Sequence, residues 1–193
     1  MGWTVYYSDS QCEGFYVMLF LPTTLPGVIL VRPERHMDDR GYFARTFCED
    51  EFTLAGITFA VRQANTSFNP HIKTLRGMHF QTSPKQEAKL VRCLTGKIYD
   101  VVVDLRKESP VYCHWHGVEL SRKNGDALFI PEGCAHGFLT LTPDCEVLYL
   151  MGESYDASHA DGVRWNDPAF GIDWPATPDL ISSRDSTWLD YVP

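Results

Sequence analysis

The stretch GDALFIPEGCAHGFLTL, residues 125–141, joins two short apolar segments through a proline–glycine turn and carries one histidine. Short apolar runs bounded by turn residues are typical of buried strands. Pro131 and Gly133 have the backbone preferences of a tight turn. His136 begins the second segment, where it points inward or lies at the rim. The stretch therefore predicts a hairpin that presents a histidine to the inside or the mouth of a β structure.

The spacing of this hairpin, G-x5-P-x-G-x2-H, resembles the second sequence motif of the cupin superfamily, whose members are jelly-roll β-barrels. A surface histidine beside an ordinary turn is the alternative interpretation, and the full spacing disfavours it. The resemblance implies a mainly β protein with a cupin jelly-roll barrel or sandwich.

The rest of the chain alternates β-rich segments with turn residues, which fits this architecture. A short helix is predicted at 48–56, ending at Gly56. From Gly152 onward a tail rich in Pro, Asp and Trp is expected to wrap over the barrel with short helical turns, so that most helix lies there. We expect an unassigned extension at 1–18 and one domain at 19–193. Strands are predicted at 27–33, 41–47, 59–68, 74–81, 88–95, 97–106, 114–121, 126–131, 136–142 and 145–151.

Composition excludes several classes of function. The formal net charge of −8 over 193 residues argues against general nucleic-acid binding. The sequence has no apolar run of membrane-spanning length and a start that makes a poor signal peptide. The cysteines form no CxxC pair, so we expect reduced thiols in a cytoplasmic protein. The six are Cys12, Cys48, Cys93, Cys113, Cys134 and Cys145.

A second histidine, His79, lies in TLRGMHFQ, residues 74–81. Strand alternation places Leu75, Gly77 and His79 on one face, and Gly77 would leave a gap beside the histidine ring. Two interpretations follow from the spacing. Either a ligand fills the gap beside a titratable ring, or His79 is a satisfied core histidine and Gly77 marks a bulge.

The sequence favours a site without a metal. A metal-binding cupin should carry an HxH pair and a glutamate in its first motif, where this chain has MHFQ with one histidine. A separate HxH pair, His114 and His116, lacks a glutamate at the usual spacing. These two residues are expected on the solvent face, with Trp115 and Val118 toward the core.

Several motifs occur in order: DDRGYFARTF, RQANTSFN, TLRGMHFQ, AKLVRC, DVVVDLRKESP, IPEGCAHGF, EVLYLMGESY and VRWNDPAFGIDWP. Over about residues 19–185 the chain resembles the dTDP-4-dehydrorhamnose 3,5-epimerase family. The resemblance implies an isomerase of deoxysugar biosynthesis that inverts C3, C5 or both in a nucleotide-diphospho-4-keto-6-deoxyhexose. It also implies a homodimer that exchanges N-terminal strands and needs no cofactor.

The resemblance assigns the chemistry to three residues. His79 is the expected base, Asp185 orients it, and Tyr149 returns a proton from the opposite face of the sugar. From sequence alone Tyr149 reads as a core aromatic. An inactive sugar-nucleotide binding protein stays open as an alternative, although the presence of all three residues argues against it.

The resemblance also implies the substrate contacts. Tyr155 would stack on the base, Lys89 would stabilise the enolate, and Arg76 would hold the diphosphate. Because strict alternation places Arg76 and His79 on opposite faces, a bulge or a long reach is required. Further contacts are expected from Arg40, Gln63, Asn65, His136 and Arg184.

The chain departs from many rhamnose-pathway members at three positions, with Arg45 for glutamate, Leu150 for lysine and Ala160 for a ligand-contacting glutamate. The particular sugar and nucleotide therefore stay open, as do a C3-only epimerase, a C5-only epimerase and a ketoisomerase. A metal-dependent oxygenase that uses His114, His116 and His136 is the remaining alternative.

Overall fold

The computed structural model describes residues 17–193. The regular secondary structure of the described residues is mainly β, as predicted. The strands are β1 (Met18–Pro22), β2 (Ile29–Pro33), β3 (His36–Asp38), β4 (Gly41–Phe43), β5 (Gln63–Asn69), β6 (Thr74–Gln81), β7 (Lys89–Thr95), β8 (Lys97–Asp104), β9 (Trp115–Ser121), β10 (Ala127–Ile130), β11 (Cys134–Thr140), β12 (Cys145–Met151), β13 (Ala160–Gly162) and β14 (Leu180–Ile181). The helices are α1 (Glu49–Leu54) and α2 (Ser183–Ser186); the longer one lies outside the tail, so the prediction that most helix lies in the tail was wrong.

The strands form two main sheets and one hairpin. The first sheet has the order β1-β2-β10-β7-β12-β5, and the second has the order β13-β6-β11-β8-β9. Neighbours within each of these orders are antiparallel, and β14 adds a short parallel pairing to β6. The hairpin of β3 and β4 belongs to neither sheet.

The inner faces of the two sheets enclose a hydrophobic core. Val91 and Val147 of the first sheet pack in one buried cluster with Val102 and Phe138 of the second. Alternation then places Lys89, Tyr149 and His136 on the same inner faces, further along β7, β12 and β11. The inside of the sandwich is therefore apolar at one end and carries titratable side chains at the other.

Each sheet also has a covered outer face. On the first sheet, Phe52 of α1 is fully buried against Phe20, Phe47, Phe59 and Phe129, with ring centroids 5.1 to 6.0 Å apart. On the second sheet, an outer cluster that includes Met78 and Val101 is covered by Val163, Phe170 and Trp174 of the tail. Residues of the tail therefore pack on the outer face of the second sheet.

The five cysteines among residues 17–193 are free thiols, and Cys12 lies outside the described residues. The extension expected at 1–18 also lies outside them, apart from Val17 and Met18. Met18 begins β1, and its backbone N–H donates to Glu51 Oε2 at 2.8 Å. Within residues 17–193, no helix has the length and apolar composition needed to cross a membrane.

Candidate active site

A β-bulge in β6 brings Arg76 and His79 to the same side of the second sheet. His79 pairs with His136, and Arg76 pairs with Phe138, so three steps along β6 correspond to two along β11. The extra residue reverses the alternation between the two positions. Both side chains line one cavity, so of the two possibilities that their shared role required, a bulge or a long reach, the bulge is confirmed.

The gap expected beside Gly77 is not present, and that part of the prediction was wrong. A Cβ atom at Gly77 would lie 2.5 Å from Gly137 Cα and 2.7 Å from His136 O. The two strands approach so closely here that a side chain at residue 77 has no space, and the backbone φ of +121° itself favours glycine. Gly77 therefore marks the bulge.

His79 and Asp185 form a dyad in which the carboxylate is buried. The His79 Nε2 atom lies 2.6 Å from Asp185 Oδ1, and the Gly77 N–H donates to Asp185 Oδ2 at 3.2 Å. The His79 side chain is 44% exposed and that of Asp185 is 5% exposed. His79 is thus not a sequestered core histidine, because its ring is held by a carboxylate and still reaches the cavity.

Helix α2 places Asp185. Ser182 caps this short helix by accepting a hydrogen bond from the Asp185 N–H at 3.0 Å. Burial raises the pKa of the Asp185 carboxyl, but the hydrogen bond and charge of His79, together with the Gly77 N–H, hold that pKa below its ordinary value of 3.8. At neutral pH the dyad therefore contains a carboxylate that stabilises positive charge on the ring.

Tyr149 carries a neutral phenol on the inner face of β12. Burial raises the pKa of Tyr149 well above its ordinary value of 10, although the Ser67 hydrogen bond opposes this shift. The Tyr149 hydroxyl lies 3.1 Å from Ser67 Oγ, and its ring lies edge-on to His136 with centroids 6.3 Å apart. The phenol keeps its proton at neutral pH, as a proton donor must.

Two further polar pairs lie at the inner end of the cavity. His136 Nε2 is 2.8 Å from Oδ1 of the fully buried Asp100. Lys89 Nζ is 2.9 Å from Glu87 Oε1. Sequence reasoning missed Asp100 and Glu87. The signal for Asp100 was a carboxylate between the inward-facing positions 98 and 102 of one strand. The signal for Glu87 was a carboxylate two residues before Lys89.

His79, Tyr149, His136, Lys89 and Glu87 line a cavity of about 330 Å³, and Asp100 lies behind His136. The predicted residues Lys89, His136 and Tyr149 lie toward the inside, and the more exposed ones form the mouth. Asp185 lies behind His79 and does not line the cavity. The lining residues are Gln63, Asn65, Ser67, Arg76, His79, Phe80, Gln81, Glu87, Lys89, His136, Phe138, Tyr149, Met151, Glu153, Tyr155, Ala160, Asp161 and Arg184.

The mouth holds two cations that lack a carboxylate partner among residues 17–193. Arg76 Nε donates to the neutral amide of Asn69 at 2.6 Å. Arg184 Nη2 donates to the Ala160 carbonyl at 3.2 Å, and its guanidinium lies over Trp188, 5.2 Å from the ring centroid. The side-chain oxygen of Gln63 accepts from the Tyr155 N–H at 3.1 Å, which holds an aromatic ring at the same rim.

Arg40 is not brought to this cavity by its own chain. It lies at the turn between β3 and β4, where its side chain is 89% exposed and contacts Asp38 at 2.6 Å. The three departures fall in different environments. Arg45 binds Glu51 of α1 at 2.8 Å, Leu150 packs in the outer core beside α1, and Ala160 lines the cavity.

The histidines considered as metal ligands do not gather. His114 is exposed, and His116 Nδ1 lies 3.0 Å from Thr24 Oγ1. His116 shares a face of β9 with Val118, which packs against the core between the sheets, so the expectation that His116 lies on the solvent face was wrong. Residues 17–193 contain no group of three or more His, Cys, Asp or Glu side chains placed to hold a metal ion.

The fold is a cupin-type sandwich whose cavity brings a histidine–carboxylate dyad and a phenol together. A sequence model described as dTDP-4-dehydrorhamnose 3,5-epimerase matches residues 22–191. The chain therefore belongs to the dTDP-4-dehydrorhamnose 3,5-epimerase family, whose members are isomerases that act on sugar nucleotides, and the resemblance found in the sequence is confirmed.

Individual relatives agree with this membership. The chain is 46% identical over 172 residues to a dTDP-4-dehydrorhamnose 3,5-epimerase of Methanothermobacter thermautotrophicus, covering 88% of this chain and 92% of that protein. It is 37% identical over 173 residues to a dTDP-4-dehydrorhamnose 3-epimerase of Streptomyces niveus, covering 89% and 83%. The crystal structure of the 3,5-epimerase of Bacillus anthracis, with TDP and PPi bound, superimposes with a TM-score of 0.88 at 39% identity and covers 91% of this chain and 100% of that one.

Proposed function

We propose that the protein inverts C3 and C5 of a nucleotide-diphospho-4-keto-6-deoxyhexose, with dTDP-4-dehydrorhamnose as the first substrate to test. The observation that carries the proposal is the His79–Asp185 dyad, which shares one cavity with the protonated Tyr149 phenol. Inversion beside a ketone needs a base and an acid, and this cavity supplies one of each.

His79 is the proposed base. The C4 ketone acidifies the hydrogens at C3 and C5, because the enolate spreads its charge onto oxygen. Proton removal leaves an imidazolium, which the Asp185 carboxylate stabilises at 2.6 Å. The same hydrogen bond fixes which ring nitrogen faces the sugar.

Tyr149 is the proposed acid. A neutral phenol donates its proton to the enolate carbon from the side opposite His79, and Ser67 holds its hydroxyl at 3.1 Å. In this assignment the Lys89 ammonium stabilises the negative charge that develops on the C4 oxygen. Return of the proton from the other side of the ring inverts the carbon.

The cations and the aromatic ring at the mouth fit the nucleotide part. Arg76 and Arg184 have no carboxylate partner among residues 17–193, so their charges suit a diphosphate. Tyr155 is 59% exposed at the same rim, where its ring is open to stack on a base. The sugar then lies inward and the base outward.

The test is incubation of the protein in deuterated water with a panel of nucleotide-linked 4-keto-6-deoxyhexoses, followed by NMR of the sugar. We expect label and inversion at C3 and C5 of at least one substrate. Absence of exchange with every member of the panel, while the protein is folded, would contradict epimerase activity and favour a binding protein.

A C3-only epimerase is the second candidate, and the relative from Streptomyces niveus favours it. The same spectra separate the two candidates, because each acidified carbon incorporates label separately. Label and inversion at C3 alone would replace the first proposal with the second.

We further propose a homodimer that works in the cytoplasm. The β3–β4 hairpin lies outside both sheets and exposes 71% of Met37 and 54% of Tyr42. Apolar side chains at this exposure suit burial against a second subunit. In that arrangement Arg40, at the hairpin turn, contacts the substrate in the cavity of the partner.

A further inference from the structure

A buried ion pair lies inside the cavity at the start of β7. Lys89 Nζ is 2.9 Å from Glu87 Oε1, and the two side chains are 5% and 8% exposed. Lys89 is flanked in the sheet by Ile130 on β10 and Met151 on β12, and neither neighbour carries a charge. The inner end of the cavity therefore contains one ammonium group together with its own counter-charge.

The backbone holds Glu87 in place. Ala88 O, between the two side chains, accepts a hydrogen bond from the Gly152 N–H at 2.8 Å. The buried Gln81 side chain donates to Lys85 O at 2.9 Å and accepts from the Asp156 N–H at 2.7 Å. The loop between β6 and β7 is thereby tied to the segment after β12, and the position of Glu87 does not depend on a bound substrate.

Because Lys89 is buried, its pairing with Glu87 affects whether its amine carries a charge. An ammonium group removed from water favours its neutral form unless a negative group lies close by. Among residues 17–193, Glu87 is the one carboxylate within ion-pair distance of Lys89. An ammonium has three protons, and Glu87 accepts one, which leaves others for a ligand in the cavity.

We propose that Glu87 is a positioning residue for the epimerisation, which keeps the Lys89 ammonium charged and aimed into the cavity at the developing C4 oxyanion. This inference rests on the proposed function. A neutral amine at Lys89 would stabilise an oxyanion far less than an ammonium does. Glu87 therefore acts through Lys89 and touches no reacting atom.

Other titratable groups around the cavity bear on any pH effect. They are Arg76 and His79 on β6, Asp100 on β8, Cys134 and His136 on β11, Tyr149 on β12, Glu153 and Tyr155 beyond it, Asp161 on β13 and Arg184 on α2. A measurement of rate alone would mix their contributions, so the state of Lys89 has to be observed directly.

The test compares Glu87→Gln with the wild-type protein by two measurements. Glutamine keeps the length and the hydrogen-bond acceptor but removes the negative charge. NMR of lysine labelled at Cε, assigned with Lys89→Arg, reports the pH at which Lys89 loses its proton. We expect that pH to fall by about one unit or more, and kcat/KM at pH 8 to fall roughly tenfold or more. Thermal unfolding checks that the variant folds.

Glu119→Gln is the matched control. Glu119 pairs with Lys97 at 3.1 Å on the exposed surface between β8 and β9, so it is the same change in an ion pair outside the cavity. It should leave both measurements as in the wild-type protein. Glu87→Asp keeps the charge on a shorter arm and should recover most of the Lys89 titration.

An unchanged Lys89 titration and unchanged kcat/KM in folded Glu87→Gln would overturn the inference and leave the epimerase proposal intact. A wild-type protein that labels no substrate would instead overturn the epimerase proposal. In that case a shift of the Lys89 titration would still establish the pairing, but the role in catalysis would fall with the reaction.

Discussion

Asp185 forms hydrogen bonds through both its side chain and its backbone. Its two carboxylate oxygens hold the His79 ring and the Gly77 backbone, and its own backbone N–H is capped by Ser182. The carboxylate thus joins the tail to the bulge in β6. An amide at this position can still form hydrogen bonds, but it cannot stabilise an imidazolium and favours the wrong tautomer.

We predict that Asp185→Asn lowers kcat by about 10²- to 10⁴-fold while the protein stays folded. The measurement is the rate of deuterium incorporation at C3, with circular dichroism to monitor the fold. Asp179→Asn removes a carboxylate of the same tail that binds Lys73 at 3.4 Å and is 65% exposed, so it should be near wild type. Normal exchange in Asp185→Asn would show that Asp185 is not the partner of His79.

Tyr155 acts at the mouth, away from the bonds that change. We predict that Tyr155→Ala weakens substrate binding by about 1–3 kcal/mol, which appears as a higher KM. The value of kcat should be nearly unchanged, because stacking acts in the ground state. Tyr155→Phe keeps the ring and should behave as the wild-type enzyme in steady-state kinetics. A loss of kcat with an unchanged KM would place Tyr155 in the chemical step instead.

At the scale of elements, alternation predicted β6 and β12 with their observed bounds, because both carry long β-rich runs between clear turn residues. It could not locate β3, whose three residues are too few to show a period. From the sequence, a bulge at Gly77 was one of two interpretations, and the shared role of Arg76 and His79 required either a bulge or a long reach. The close approach of Gly77 to Gly137 of another strand favours the bulge, and a sequence does not display that contact.

The close approach of the two strands at Gly77 can be tested by substitution. We predict that Gly77→Ala lowers the free energy of unfolding by more than about 3 kcal/mol, because the new Cβ meets backbone atoms and the φ of +121° is strained. Gly171 has a φ of +58° and nothing within 4 Å of the added atom, so Gly171→Ala should cost about 1–2 kcal/mol. Equal losses in urea unfolding would contradict a role for the close approach.

At the scale of the whole molecule, the sequence predicted the sandwich, and the family resemblance assigned half of the residues that line the cavity. It could not place Glu87, Asp100 or Ser67, because their contacts arise when separate strands pair. Arg40 shows another limit. The resemblance assigned this turn residue to a substrate contact but did not indicate which cavity it serves, and the hairpin places it away from the cavity of this chain.

A mixing experiment tests the shared site. We predict that His79→Asn and Arg40→Ala are each severely impaired, and that refolding them together restores roughly a quarter of the wild-type activity, since half of the dimers then hold one complete site. The restored site combines His79 of one chain with Arg40 of the other. Sedimentation confirms the dimers, and mixtures that stay inactive despite forming heterodimers would contradict the action of Arg40 in the cavity of the partner.

The most direct test of the two-sided mechanism is the stereochemistry of labelling by Tyr149→Phe, read by NMR of the sugar in deuterated water. His79→Asn should abolish exchange at C3 and C5, because no base remains. Tyr149→Phe keeps the ring volume and the base, so deuterium should enter from the His79 side with retention while inversion is lost. Inversion of C3 by Tyr149→Phe at a near wild-type rate would contradict the assignment and leave Tyr149 as a packed aromatic residue.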